Sequence, residues 1–169
     1  IRKSPEDVKA RMAFAFPDLY EIGMSYLGMQ ILYNTVNKKK ELYCERVFAP
    51  ASDMEKLMRE EKLPLFTLET KTPVKEMDIV GFTLQYEMSF STILNMLELA
   101  EIPLISDERG DEWPIIAAGG PCAFNPEPLA DFVDIFLIGD GEILLPQVLE
   151  LLGECKEKGR TKKDFLEKA

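Results

Sequence analysis

Two glycine-bearing turns carry the residues best suited to hold a ligand. They are Gly119-Gly120-Pro121, closing the run Pro114-Ile115-Ile116-Ala117-Ala118, and Gly139-Asp140-Gly141-Glu142, closing Asp134-Ile135-Phe136-Leu137-Ile138. Glycine admits positive φ and lets a ligand approach the backbone, so N–H groups at such turns can meet the polar part of a cofactor. Asp140 and Glu142 would repel a phosphate, which favours hydroxyl or amide partners. Two further polar stretches follow apolar runs. One is Pro17-Asp18 with Gly23 and Ser25, and the other is Gln85-Tyr86-Glu87. Tyr20, Tyr26, Tyr86 and Phe124 offer faces for stacking on a flat ring or for core packing. Glu87 has no second carboxylate beside it in sequence, a weak basis for acid–base work. Asp18 and Glu21 read as solvated loop acids, and the methionines Met24, Met29, Met88 and Met96 as packing.

What is missing narrows the chemistry. The chain contains no histidine, which removes imidazole bases, Ser-His and Cys-His pairs and imidazole metal ligands. Cys44, Cys122 and Cys155 are far apart and form no CxxC or CxxxCxxC, so they read as reduced thiols in a cytoplasmic protein. Thirty acidic against twenty basic side chains give a net charge of −10, which argues against nonspecific nucleic-acid binding. No apolar run approaches a membrane span, and no secretory leader is read ahead of the first strand. No catalysis is expected of the domain by itself.

The elements that would position these residues alternate. Met12–Phe16, Leu42–Phe48, Leu65–Leu68, Ile79–Leu84 and the two runs above read as strands. Helices are expected from Tyr26 to about Asn37 with Ser25 as N-cap, after Ser52 or Asp53 in a capping box, over Phe90–Ala100, and from about Glu142 to Lys156. Leu27, Ile31, Leu32 and Val36 are expected on one inward face, as are Met54, Leu57 and Met58. Lys38-Lys39-Lys40 reads as a solvated helix end. Strands alternating with helices predict an α/β fold, a doubly wound, mostly parallel sheet of five or six strands. All exits of a parallel sheet lie at its carboxyl edge, so the four polar loops converge whatever the strand order. Residues 1–158 read as one domain, and 159–169 as a charged tail or linker.

Several blocks together resemble a bacterial family of radical SAM proteins with an N-terminal cobalamin-binding-like domain. They are Phe16-Pro17-Asp18-Leu19-Tyr20-Glu21-Ile22-Gly23-Met24-Ser25-Tyr26-Leu27-Gly28, Glu45-Arg46-Val47-Phe48-Ala49-Pro50, Val80-Gly81-Phe82-Thr83-Leu84-Gln85-Tyr86-Glu87, and Gly119-Gly120-Pro121-Cys122-Ala123-Phe124-Asn125-Pro126-Glu127-Pro128. The resemblance implies a flavodoxin-like fold, a cobalamin-binding-like Rossmann variant. It would stand before a barrel that holds a [4Fe–4S] cluster and cleaves S-adenosylmethionine. That barrel, absent from this chain, would be the domain's partner in the same polypeptide, and the parent protein a radical SAM enzyme. Cobalamin is the implied cofactor, with Pro17, Asp18, Gly23, Ser25, Gln85, Tyr86, Glu87, Gly119, Gly120, Pro121, Gly139, Gly141 and Glu142 around it. The DxHxxG loop of many cobalamin domains is met here only by Asp18 and Gly23, without a histidine. A degenerate module serving domain interaction or substrate gating is the competing reading. A nucleotide binder is disfavoured, because no GxGxxG follows the first strand.

Overall fold

The computed structural model describes residues 1–169. Five strands, β1 (Ala10–Phe16), β2 (Leu42–Phe48), β3 (Ile79–Thr83), β4 (Ile115–Gly119) and β5 (Ile135–Leu137), form one sheet in the order β2-β1-β3-β4-β5, every pair parallel. The helices are α1 (Tyr20–Gly23), α2 (Leu27–Lys38), α3 (Ser52–Glu61), α4 (Phe90–Leu99), α5 (Gly141–Glu157) and α6 (Lys162–Leu166). This is the doubly wound, flavodoxin-like arrangement, with its switch point between β1 and β3.

Alternation along the strands divides the core in two. Met12, Phe14, Ile79, Ile115 and Ala117 face one side, where α2, α5 and α6 supply Val36, Leu149 and Phe165. Ala13, Ala15, Val80, Phe82, Ile116 and Ala118 face the other, against Met58 of α3 and Ile93, Met96 and Leu97 of α4. With both faces covered, each central strand reads as a continuous apolar run. No helix is long and apolar enough to cross a membrane.

The segment expected as a strand at Leu65–Leu68 is not one. It makes a single antiparallel bridge, Phe66 to Pro73, and lies along the free edge of β2. There Leu68 N donates to Arg46 O (2.8 Å), and Arg46 N donates to Glu69 Oε2 (2.7 Å). Pro64 and Pro73 bracket the segment and prevent a longer ladder, so it covers the edge rather than extending the sheet. Buried Glu45 is satisfied by the same loop, accepting from Arg11 Nη2 (2.9 Å), Thr67 Oγ1 (2.7 Å) and Thr70 Oγ1 (2.6 Å).

The expected caps differ too. Ala51 and Tyr26 occupy the N-cap positions of α3 and α2, with no side-chain cap. Asp53 Oδ1 accepts from the adjacent Met54 N (2.8 Å), and Ser25 Oγ donates to Ile22 O (3.2 Å). Asp53 thus serves within the first turn of α3, and Ser25 within the turn before α2. A true capping box opens α6, between Thr161 and Asp164. The stretch 159–169, read from its charge as a tail or linker, thus carries a helix whose Phe165 is buried in the core.

Cys44 makes a pH-dependent contribution to stability. Desolvation above all, then the carboxylates of Glu69 and Glu45, pushes its thiol up from the ordinary 9.0. Burial pushes the phenols of Tyr33 and Tyr43 up as well. A raised acid pKa means that the unfolded chain loses its proton first. This stability is therefore complete below about pH 9 and lost progressively above it, at about 1.4 kcal/mol per pH unit for Cys44. Lys162, pushed down from 10.5 mainly by burial, acts in the opposite sense at alkaline pH. Urea midpoints between about pH 8 and pH 11 should therefore fall less steeply for Cys44→Ala than for the parent. Equal slopes would remove Cys44 from the account.

Candidate functional site

At the carboxyl edge, beside the switch point, a cleft of about 200 Å³ opens beneath α2 and α5. Its floor is the middle of the sheet, where Gly81 and Ala117 replace the bulky side chains usual in buried strands. Glycine inside a strand weakens it and marks a close approach. Here a Cβ on Gly81 would lie 2.3 Å from Met12 Cε, so the glycine yields its space to an unbranched, adaptable thioether. Phe14, Leu32 and Leu145 complete the apolar walls.

The mouth is polar. Tyr26 O–H donates to Gln85 Oε1 (2.6 Å), and Gln85 Nε2 donates to Thr83 Oγ1. This relay joins the start of α2 to the exit of β3. The Tyr26 ring packs on Phe16 at 5.4 Å and leans over Gly28, where a Cβ would stand 2.8 Å from the ring. An apolar cavity with a few convergent polar groups at its rim is the usual form of a small-molecule site.

Of the residues that the resemblance sets around the cofactor, Gln85, Gly119, Gly120, Pro121, Gly139, Gly141 and Glu142 line this cleft. The rest stand outside it. Pro17 is buried beneath the β1 exit, and Ser25 is exposed in the turn before α2. Gly23 serves packing, since a Cβ there would lie 2.5 Å from the Phe48 ring and 2.7 Å from that of Phe16. Asp18 ties loops together: Ala49 N donates to its carbonyl (3.0 Å), and Tyr86 O–H donates to Oδ2 (3.2 Å). The Asp18 carboxylate pushes the Tyr86 phenol up. Glu87 neighbours Cys122, whose thiol is pushed up by desolvation first and then by that carboxylate.

Three of the glycines differ in what they permit. Gly120 has φ +110° and Gly139 φ +140°, both in the left-handed range. A Cβ on Gly120 would lie 2.9 Å from Leu84 O, whereas one on Gly141 would meet the Leu32 methyls at 3.2 and 3.3 Å. Their lack of a side chain therefore serves the chain's own close packing, as well as leaving the cleft open. Tyr26, read from sequence as a ring for stacking or packing, also lines the cleft, and the lining residues that sequence reasoning did not assign to a site include Met12, Phe14, Leu32, Gly81, Thr83 and Ala117. The signal that could have found them is the small residues, Gly81 and Ala117, inside otherwise bulky strands.

The geometry defines a flavodoxin-like α/β domain with an apolar cleft at its switch point. The chain belongs to the family of radical SAM N-terminal domains: a family profile described as "Radical SAM proteins, N-terminal" matches residues 28–169. It is also similar to the uncharacterized protein MJ0966 of Methanocaldococcus jannaschii, with 27% identity over 133 residues. That match covers 78% of this chain and 24% of the relative, so the chain spans about a quarter of the relative's length. No solved structure matches the chain at a comparable level.

Proposed function

We propose that this domain holds a corrinoid of the cobalamin type for a radical SAM protein, with the heterocyclic tail of the cofactor in the cleft and its ring over the carboxyl edge. One observation carries the reading: the apolar slot floored by Gly81 and Ala117 and walled by Phe14 and Leu32. An apolar cavity of about 150 Å³ holds benzene, so one of about 200 Å³ suits a flat fused-ring base. Exposed rings in the exits of β3 and β4, Tyr86 and Phe124, offer stacking surface for a broad ring at the same carboxyl edge. Amide substituents on such a ring suit the glycine turns, where the Gly141 and Glu142 N–H groups at the start of α5 have no backbone acceptor. The chain has no histidine, so these residues offer no imidazole to the metal. When bound, the corrinoid supplies a cobalt centre able to carry an alkyl group. This chain's residues seat the tail, keep water from it and hold the ring's edge.

Ala117→Leu is the informative substitution, because it fills the slot without touching the turns. Cobalamin is expected to bind the full-length protein at least about tenfold more tightly than cobinamide, which lacks the base, and Ala117→Leu should erase that preference. Absorbance titration reads binding, and a melting curve of the variant checks its fold. Equal affinity for both corrinoids in the parent would take the tail out of the slot. No spectral change with either would leave the module without a corrinoid, as the interaction or gating reading has it.

A further inference from the structure

Every loop leaving the carboxyl end of a strand lacks lysine and arginine. This holds for residues 17–26, 49–51, 84–89, 120–128 and 138–140, and for the first turns of α2, α3, α4 and α5. All twenty basic residues lie elsewhere. Asp18, Glu21, Glu87, Asp140 and Glu142 stand at this edge, and helix N-termini favour such carboxylates. The helix dipole does not account for what lies between them. Met88 is 85% exposed, Phe124 77%, Leu27 66%, Ile143 58% and Ile22 53%. Leu27 and Ile31 were expected to face inward with α2, and both are exposed. Exposed apolar side chains gathered on one face mark an interaction surface.

We propose that this edge docks the part of the polypeptide that follows Ala169, through a surface on that part which is apolar at its centre and basic at its rim. Two observations choose the occupant. The family is described as the N-terminal part of its proteins, and the matched relative extends far beyond the 24% that this chain covers. A second copy is disfavoured, because two such edges face to face would oppose Glu21, Glu87 and Asp140 to their own kind in a chain of net charge −10. The proposal does not require that the cleft hold a corrinoid.

Hydrogen exchange of the full polypeptide, compared with that of residues 1–169 alone, tests it. Backbone amides of 19–27, 86–88 and 138–143 should exchange about tenfold or more slowly in the full polypeptide. The triple variant Glu21→Lys, Glu87→Lys, Asp140→Lys should remove that protection, because like charges would then face each other. Lys38→Glu, Lys39→Glu, Lys40→Glu, at the opposite end of α2, should preserve it. Equal exchange in the two forms would overturn the docking. Protection that grows with protein concentration would replace the downstream part with a second copy. Protection unchanged in the first triple variant would overturn the basic rim.

Discussion

Replacing Asp134 with alanine is expected to lower stability by about 3–5 kcal/mol, the range for stranding a buried charge. The Arg109 side chain is fully buried. Its Nη1 donates to Pro103 O and Leu104 O (both 2.8 Å), and its Nη2 to Phe132 O (2.8 Å) and Asp134 Oδ1 (3.0 Å). Asp134 Oδ2 accepts from Ile116 N (2.6 Å) and lies 3.0 Å from Lys162 Nζ. One carboxylate thus joins the start of β4, the approach to β5, the loop 103–109 and α6. Alanine would leave the guanidinium without a counter-charge, a backbone N–H without an acceptor and a half-buried ammonium unpaired. Arg109→Met removes the charge that needs the partner. The double variant Asp134→Ala, Arg109→Met should therefore lose less than the sum of the two single changes. Urea unfolding of the four proteins measures this. A loss under about 1 kcal/mol for Asp134→Ala would mean that water reaches the pair.

Gly120→Val is expected to destabilise by about 3 kcal/mol and to impair folding before it affects any ligand. The backbone there has φ +110°, which a β-branched residue resists, and its Cβ would press on Leu84 O at 2.9 Å and Leu84 N at 3.2 Å. Those two atoms tie the β3 exit to the β4 exit, for Leu84 N donates to Gly119 O (2.7 Å) and Leu84 O accepts from Cys122 N (3.1 Å). Neither backbone atom can move without breaking the turn. Gly141→Val should cost much less, because it meets only the flexible end of Leu32 and its φ is not positive. Thermal melting separates the two. Equal melting points for Gly120→Val and the parent would mean that the turn accommodates the side chain. If ligand affinity falls in Gly141→Val while its melting point holds, that turn is part of the site.

Much of the cleft's location was legible because exits from a parallel sheet share an edge. The runs Met12–Phe16 and Ile79–Phe82 are apolar on both faces, so parallel strands and helical crossovers follow locally. The glycine turns after β4 and β5 were legible for the same reason, and both reach the cleft. Arg109 was not. In sequence it stands in the charged turn Ser106–Trp113, and only the approach of four oxygen acceptors, from 103 to 134, permits its burial. Phe165 was hidden in the same way among lysines and acids.

From the sequence alone came β1 to β5, the helices α2 to α5, the parallel sheet and the edge at which its glycine turns gather, because periodicity and turn chemistry act over a few residues. Tertiary structure decided the strand order β2-β1-β3-β4-β5, the use of Leu65–Leu68 as an edge cover, and the slot beneath α2 and α5. It also decided which apolar residues remain in water, with Leu27 and Ile143 among them. These depend on how surfaces far apart in the chain fill or fail to fill one another. An apolar residue reads the same in sequence whether the helix packs it against a sheet or presents it at an edge.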